Sequence, residues 1–160
     1  QTGWALNEAT VERSNLLRTL ELAVGVDGKP LSTFGCDAVV ISTATGSTAH
    51  AFSAGGPILW PDVDALLFVP IAAHALFARP LVVGPRSWFA LEVMERSSSE
   101  ALVALDGSRT IEVQRGGRIE IRRGEHQVKL ARMSDAPFTE RLVRKFSLPI
   151  NGWRGPAQDG

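Results

Sequence analysis

Residues 41–57, ISTATGSTAHAFSAGGP, gather more hydroxyl groups and more small side chains than a simple connection needs. Thr45, Ser47, Thr48 and Ser53 can each donate and accept a hydrogen bond, while Ala49, Ala51 and Ala54 leave space rather than fill it. A helix over about 48–54, stopped by Gly55 with Pro57 beyond it, would begin with unpaired backbone N–H groups. A loop of Thr, Gly and Ser ahead of such a helix lets a ligand approach those groups closely. That chemistry suits a flat, polar ligand of the nucleotide kind. The same residues fit a second reading, a capped helix whose small side chains let two layers pack closely.

Several familiar sites are excluded. No Lys follows a glycine-rich loop as in a P-loop, and GxGxxG does not occur. Ser47 lacks the following glycine of a nucleophile elbow. His50, His74 and His126 do not have the spacing of zinc ligands.

The elements around this stretch read as strands. "CDAVVIST" (36–43) carries a continuous β-branched run, the pattern of a strand buried on both faces. "LRTLELAVGV" (17–26) alternates, "DGKP" turns, and "LSTFG" resumes the strand. "ALLFVPI" (65–71) is a further run, with Pro70 marking its end or an edge. From residue 81 six short strand patterns follow: PLVVGP, SWFALEVME, ALVALDG, TIEVQRGG, RIEIRRGE and HQVKLARM. Gly116 with Gly117, and Gly124 with Glu125, read as hairpin turns. A second helix is expected over 137–147, opened by Pro137 and cationic toward its end. The expected class is mainly β: stacked antiparallel sheets, sandwich-like, with one short helix after the Thr-Gly-Ser-Thr turn and one C-terminal helix. Residues 1–149 are read as one all-β domain and 150–160 as a loose tail rich in Gly and Pro.

Composition narrows the function classes. Seventeen Lys and Arg balance seventeen Asp and Glu, which argues against attraction to nucleic acid or an anionic membrane. No apolar run approaches the ~20 residues of a membrane span. A single cysteine, Cys36, suits a reducing cytoplasm and reads as a packing residue. Trp4, Trp60, Trp88 and Trp153 are read as core or interface rings. The start at Gln1 rather than Met suggests a fragment of a longer protein.

"CDAVVISTATGSTAHAFSAGGPILWP" closely resembles the motif of NAD kinases, an apolar strand followed by Thr-Pro-Thr-Gly-Ser-Thr-Ala-Tyr and Ser-Ala-Gly-Gly-Pro. "WALNE" resembles that family's Asn-Glu motif, and "VPIAAHALFARPLVV" its Pro-x-x-x-His-x-Leu-x-x-Arg-Pro segment. "LDG" at 105–107 and "PFTERLVRKFSLPINGW" also fit, the latter resembling the actinobacterial branch. The resemblance implies the C-terminal, all-β domain of an enzyme that phosphorylates the adenosine ribose 2′-hydroxyl of NAD to make NADP. ATP or polyphosphate would be the donor, with Mg²⁺. By position, Asn7 and Glu8 resemble the pair that binds the adenosine portion of NAD. Asp37 resembles an acid contacting ribose or the nicotinamide end. Thr45, Thr48, Ala49, His50 and Ser53 fall on the nucleotide-binding turn and helix, and Asp106 on a further acidic position near the substrate. The resemblance also implies a cytoplasmic homo-oligomer, dimer or tetramer, assembled through this domain.

Three departures stand out. Ala44 and His50 replace the family's usual Pro and Tyr, which loosens the turn and offers a smaller ring. The Gly-Gly-Asp-Gly motif, with the aspartate thought to activate the hydroxyl, is missing; it belongs to an N-terminal α/β domain that would precede Gln1. A sensing or assembly domain, or a lipid kinase of related fold, is the alternative reading, and the Asn-Glu motif favours the dinucleotide.

Overall fold

The computed structural model describes residues 1–75, 78–126, 128, 129, 131, 133 and 135–155. Chain contacts divide it into two compact units, Gln1–Val128 and Lys129–Gly160. The first is a stack of two antiparallel sheets. The expected all-β domain ran to 149; the compact β unit ends at Val128.

Among the described residues ten strands build it: β1 (Glu8–Arg13), β2 (Leu20–Val26), β3 (Lys29–Cys36), β4 (Ala38–Thr43), β5 (Leu66–Ile71), β6 (Leu81–Val83), β7 (Trp88–Val93), β8 (Ala101–Leu105), β9 (Arg109–Val113) and β10 (Arg118–Arg122). One sheet runs β6-β5-β4-β1-β8-β9 and the other β10-β7-β2-β3. The chain changes sheet repeatedly, so β1 lies between β4 and β8, two strands that follow it by many residues. Its register is fixed on both sides, with Val11 opposite Val39 on one and Val103 on the other.

Alternation explains the layering. Ala9 and Val11 point into the space between the sheets and join Val39, Ile41, Leu66, Phe68, Phe89 and Leu91 in the main core. Glu8 and Thr10, one residue out of phase, point to the other face of β1. There β4 and β5 present Val40, Leu67 and Val69, covered by Ala51 and Leu59 in a smaller second core. β4 is thus buried on both faces, as its unbroken apolar run predicts. Pro70 sits inside β5, opposite Val39, rather than ending it.

The "TIEVQ" and "RIEIRR" strands alternate as expected, but their connection is not a hairpin. β9 pairs with β8 and β10 with β7, so Gly116 and Gly117 carry the chain from one sheet to the other. That turn bonds instead to the end of β7: the Gly116 N–H donates to the Val93 carbonyl at 2.7 Å, and the Val93 N–H to the Gly117 carbonyl at 2.9 Å. The Gly124–Glu125 turn is not followed by a strand among the described residues. In the segment expected as a strand over 126–133, His126, Val128, Lys129, Ala131 and Met133 are unpaired in sheet terms, and the other three residues lie outside the described residues. The tryptophans are not core rings: Trp4, Trp60 and Trp153 are exposed and Trp88 is half-buried.

The second unit contains α2 (Phe138–Phe146). It opens after Pro137, ends with Arg144 and Lys145 in its last turn, and stops at Ser147 in the left-handed region. Of the expected tail, residues 156–160 lie outside the described residues. Among the described residues no helix is long and apolar enough to cross a membrane.

Phe68 and Phe89 join the two sheets, their rings stacked with centroids 5.3 Å apart and both buried. Phe89→Ala is expected to destabilise the unit by about 3–5 kcal/mol, the range for truncating a fully buried phenylalanine. Denaturant titration checks it; a loss under about 1 kcal/mol would mean that this stack does not join the sheets.

Candidate functional site

The site begins at the entrance to β1. The Asn7 carbonyl accepts the Thr43 N–H at 2.9 Å and the Ser42 hydroxyl at 3.1 Å, while the Thr43 hydroxyl donates to the Leu6 carbonyl at 2.8 Å. On its other side, the Asp106 carboxylate accepts the N–H of Leu6 at 2.9 Å and of Asn7 at 2.8 Å. The backbone carrying Asn7 and Glu8 is therefore gripped from two neighbouring strands.

The hydroxyl stretch folds over this entrance, though not as one helix. A 3-10 turn covers Thr45–Thr48, the backbone breaks at Ala49 (φ −106°, ψ −126°), and α1 spans only His50–Ser53. The expected row of free N–H groups is largely used internally. Gly46 N–H bonds to the Thr43 hydroxyl, Ser47 N–H to the Ala44 carbonyl and Ala49 N–H to the Gly46 carbonyl. Gly46 is buried with no room for a side chain: a Cβ there would collide with the Asn7 carbonyl and the Ser42 hydroxyl. Ser47 is fully buried; its hydroxyl donates to the Ala44 carbonyl at 2.7 Å and accepts the Leu59 N–H at 2.9 Å. It holds the turn and is not offered to a ligand. Thr45, His50 and Ser53 remain exposed, with Thr48 and Ala49 half-buried.

Glu8 is the unusual group. It is buried, and its Oε2 has no partner among the described residues. Burial pushes its carboxyl above the usual range and the nearby Asp106 charge adds to this, while the neighbouring His50 and its backbone N–H pull the other way. The His50 ring reaches across to the Thr10 hydroxyl, Nδ1 to Oγ1 3.4 Å.

Of the residues singled out in the sequence, the structure brings together Asn7, Glu8, His50 and Asp106, with the 3-10 turn packed on them. Asp37 does not join them. It lies beyond the far end of β4, paired with Arg13 at 3.1 Å. Glu8 faces Ser42 in the register, so five strand residues, about 17 Å, separate that level from Asp37. Cys36 is a core residue; burial, with Asp37 beside it, pushes its thiol up to about 12 and keeps it neutral. Residue types alone missed Ser42, Thr43, Gly46 and Thr10, along with Arg109 and Trp4. Only Arg109 left a trace, three residues after the aspartate of an Asp-Gly turn.

A cleft of about 620 Å³ opens between the sheets, lined by apolar residues such as Ile41, Leu66, Val103 and Ile121 and reaching Asn7 and Glu8 at one end. Ser42 and Thr43, which hold the Asn7 backbone, are also part of its lining.

The sequence profile of the ATP-NAD kinase C-terminal domain matches residues 6–133. The chain belongs to that family. An NAD kinase of Leifsonia xyli is 57% identical over 153 residues, covering 96% of this chain and 50% of that protein. One of Thermobifida fusca is 56% identical over 156 residues, covering 98% and 48%. Among solved structures, an NAD kinase from Archaeoglobus fulgidus in complex with ATP superposes with a TM-score of 0.68 at 30% identity, covering 76% of this chain and 46% of that one. Yeast NADH kinase complexed with NADH gives 0.67 at 31%, covering 72% and 33%. This NAD kinase C-terminal domain thus spans about half the length of the curated relatives it matches.

The electrostatics of Glu8 give a signed prediction. Its carboxyl is raised above the unfolded value, so the folded domain is relatively favoured below the ordinary carboxylate range and loses that advantage as pH rises through the raised value. Glu8→Gln removes the buried charge and is expected to raise the melting temperature of the domain at pH 7. The gain should vanish below about pH 4. Thermal melts at the two pH values check this; an equal shift at both would show that the charge is not the cause.

Proposed function

We propose that this domain holds the dinucleotide in an enzyme that moves the terminal phosphoryl group of ATP or polyphosphate to the adenosine ribose 2′-hydroxyl of NAD. The hydroxyl oxygen forms the new bond to phosphorus, the bridging oxygen of the donor leaves with its electron pair, and the hydroxyl proton goes to a base. NADP is the product, with ADP when ATP is the donor. One observation carries the reading: the buried Glu8 carboxylate, with a partnerless oxygen, stands beside Asn7 in a domain of the NAD kinase family. A ribose hydroxyl supplies the donor that Oε2 lacks. The Asn7 amide offers both a donor and an acceptor to an adenine edge.

The exposed hydroxyls of Thr45 and Ser53, with Thr48 and Ala49 behind them, border the path of the phosphates, and His50 offers a ring for stacking. Asp37 is too far along β4 to meet the same ribose. The family resemblance implies that it meets the nicotinamide end of the dinucleotide, and that the enzyme is a homo-oligomer, dimer or tetramer. The base belongs to the half of the protein upstream of this domain, where the family resemblance puts the Gly-Gly-Asp-Gly motif. Mg²⁺ would neutralise the donor phosphates. Among the described residues no three His, Cys, Asp or Glu side chains converge as ligands. Dinucleotide, donor and product are metabolites of the cytoplasm, where we place the enzyme, acting on small molecules rather than nucleic acid.

Two measurements test this. In the full-length enzyme, Thr48→Val keeps size and β-branching but removes a hydroxyl, and is expected to weaken NAD binding roughly five- to a hundredfold. Calorimetric titration beside a thermal melt separates the outcomes, since unchanged affinity with a lower melting temperature would make residue 48 a packing residue. The chain of 160 residues by itself, given NAD, ATP and Mg²⁺, is expected to form no NADP. Turnover above a buffer control would return the base to this domain.

A further inference from the structure

We infer that Asp106 is a positioning residue that aims Asn7 and Glu8 at the ligand and does not itself touch it. The inference rests on the proposed dinucleotide reading and assigns the two acids of the cluster opposite duties. Counting acceptor sites separates them. A carboxylate has about four lone-pair positions. In Asp106, Oδ1 accepts the N–H of Asn7 at 2.8 Å and, more weakly, that of Glu8 at 3.4 Å. Oδ2 accepts the N–H of Leu6 at 2.9 Å and the Arg109 guanidinium at 3.0 Å. All four are used within the protein. Glu8, by contrast, keeps a buried oxygen with no partner. A ligand hydroxyl therefore finds an acceptor in Glu8 and none in Asp106.

The grip is reciprocal and long-range. The Asp106 N–H donates to the Glu8 carbonyl at 3.0 Å, so the backbone and the side chain of one residue bind three consecutive residues about a hundred positions earlier. The turn is built for this. Asp106 takes φ 48° and Gly107 φ 67°, both in the left-handed region, a conformation Asp tolerates and Gly adopts freely. That geometry ends β8 and points the carboxylate back across to the start of β1. Arg109, which completes the set, lies over the Trp4 ring at 4.5 Å, so the segment before β1 is held at a second point.

The electrostatics agree with the geometry. Burial acts to raise the Asp106 carboxyl, but the three backbone N–H groups and Arg109 together outweigh it and hold the carboxyl below its usual value. A lowered folded value means that the contribution is present above the ordinary aspartate range and is lost as pH falls through the lowered one. The clamp stays charged wherever the enzyme works. Its negative charge also faces Glu8 and favours the protonated form of that acid.

The test is a double-mutant cycle in the full-length enzyme with Asp106→Asn, Asn7→Ala and the pair. Asp106→Asn should raise both the Kd and the KM for NAD roughly tenfold, as expected for losing hydrogen bonds to a charged group, while the KM for the phosphate donor stays unchanged. In the Asn7→Ala background the same change should lose a clear part of its effect, because one of the two residues it positions is gone. Should Asp106→Asn fail to fold, Asp106→Ser retains one acceptor for the Asn7 N–H and carries the same cycle. Fully multiplicative effects would overturn the inference in favour of direct contact. Unchanged NAD affinity with only a lower melting temperature would overturn it in favour of a purely structural turn. Wild-type NAD affinity in Asn7→Ala alone would overturn the dinucleotide reading itself, a result distinct from the other two.

Discussion

The peptide between Asn7 and Glu8 is the point on which the site depends. Its strand is hydrogen-bonded to β4 and β8 at once, and its entrance is held by the Ser42 and Thr43 hydroxyls on one side and a carboxylate on the other. Gly46 presses the 3-10 turn against the Asn7 carbonyl, so the hydroxyl stretch takes its position from this peptide too. Given that anchor, alternation does the rest. Ala9 and Val11 enter the core between the sheets, and Glu8 and Thr10 are turned to the face where His50 lies.

That arrangement explains how a carboxylate can sit buried and incompletely bonded. An unpaired buried charge costs enough that most folds avoid it. Here the residue lies within a strand fixed on both sides, so it cannot swing out to water without breaking the register. The sheet supplies the rigidity, and the stability lost at Glu8 is offset by the apolar contacts of its neighbours. Strain of this kind concentrates where a site must be organised before its ligand arrives.

The mainly β class, most of the strands and both helical segments were legible because apolar periodicity and turn residues report on local structure. β4 announced burial on both faces through its unbroken β-branched run. What stayed illegible depends on pairing across the chain. Nothing local distinguishes Gly116 and Gly117 as a passage between sheets from a hairpin, because both need the same backbone freedom. β1 was hard to see, since its outward residues are Glu, Thr and Glu and its partners lie far along the chain. The site showed the same division. Asn7, Glu8 and His50 were reached through the family resemblance, whereas Ser42, Thr43 and Gly46 matter only through the backbone they touch. Asp37 lies just before β4, away from the Asn7 cluster, a separation that only the register reveals.

The distance in sequence between Leu6 and Asp106 has a kinetic meaning. β1 cannot be completed on its β8 side until the chain has been made through residue 105, about a hundred residues after its own first residue appears. Closing a loop of that length before any contact rewards it makes such topologies slow to fold. During synthesis the Asn7 segment therefore waits, hydrogen-bonded at most to β4, while the rest of the unit emerges. A chain truncated before the Asp106 turn would lack the carboxylate that holds the Leu6 and Asn7 N–H groups.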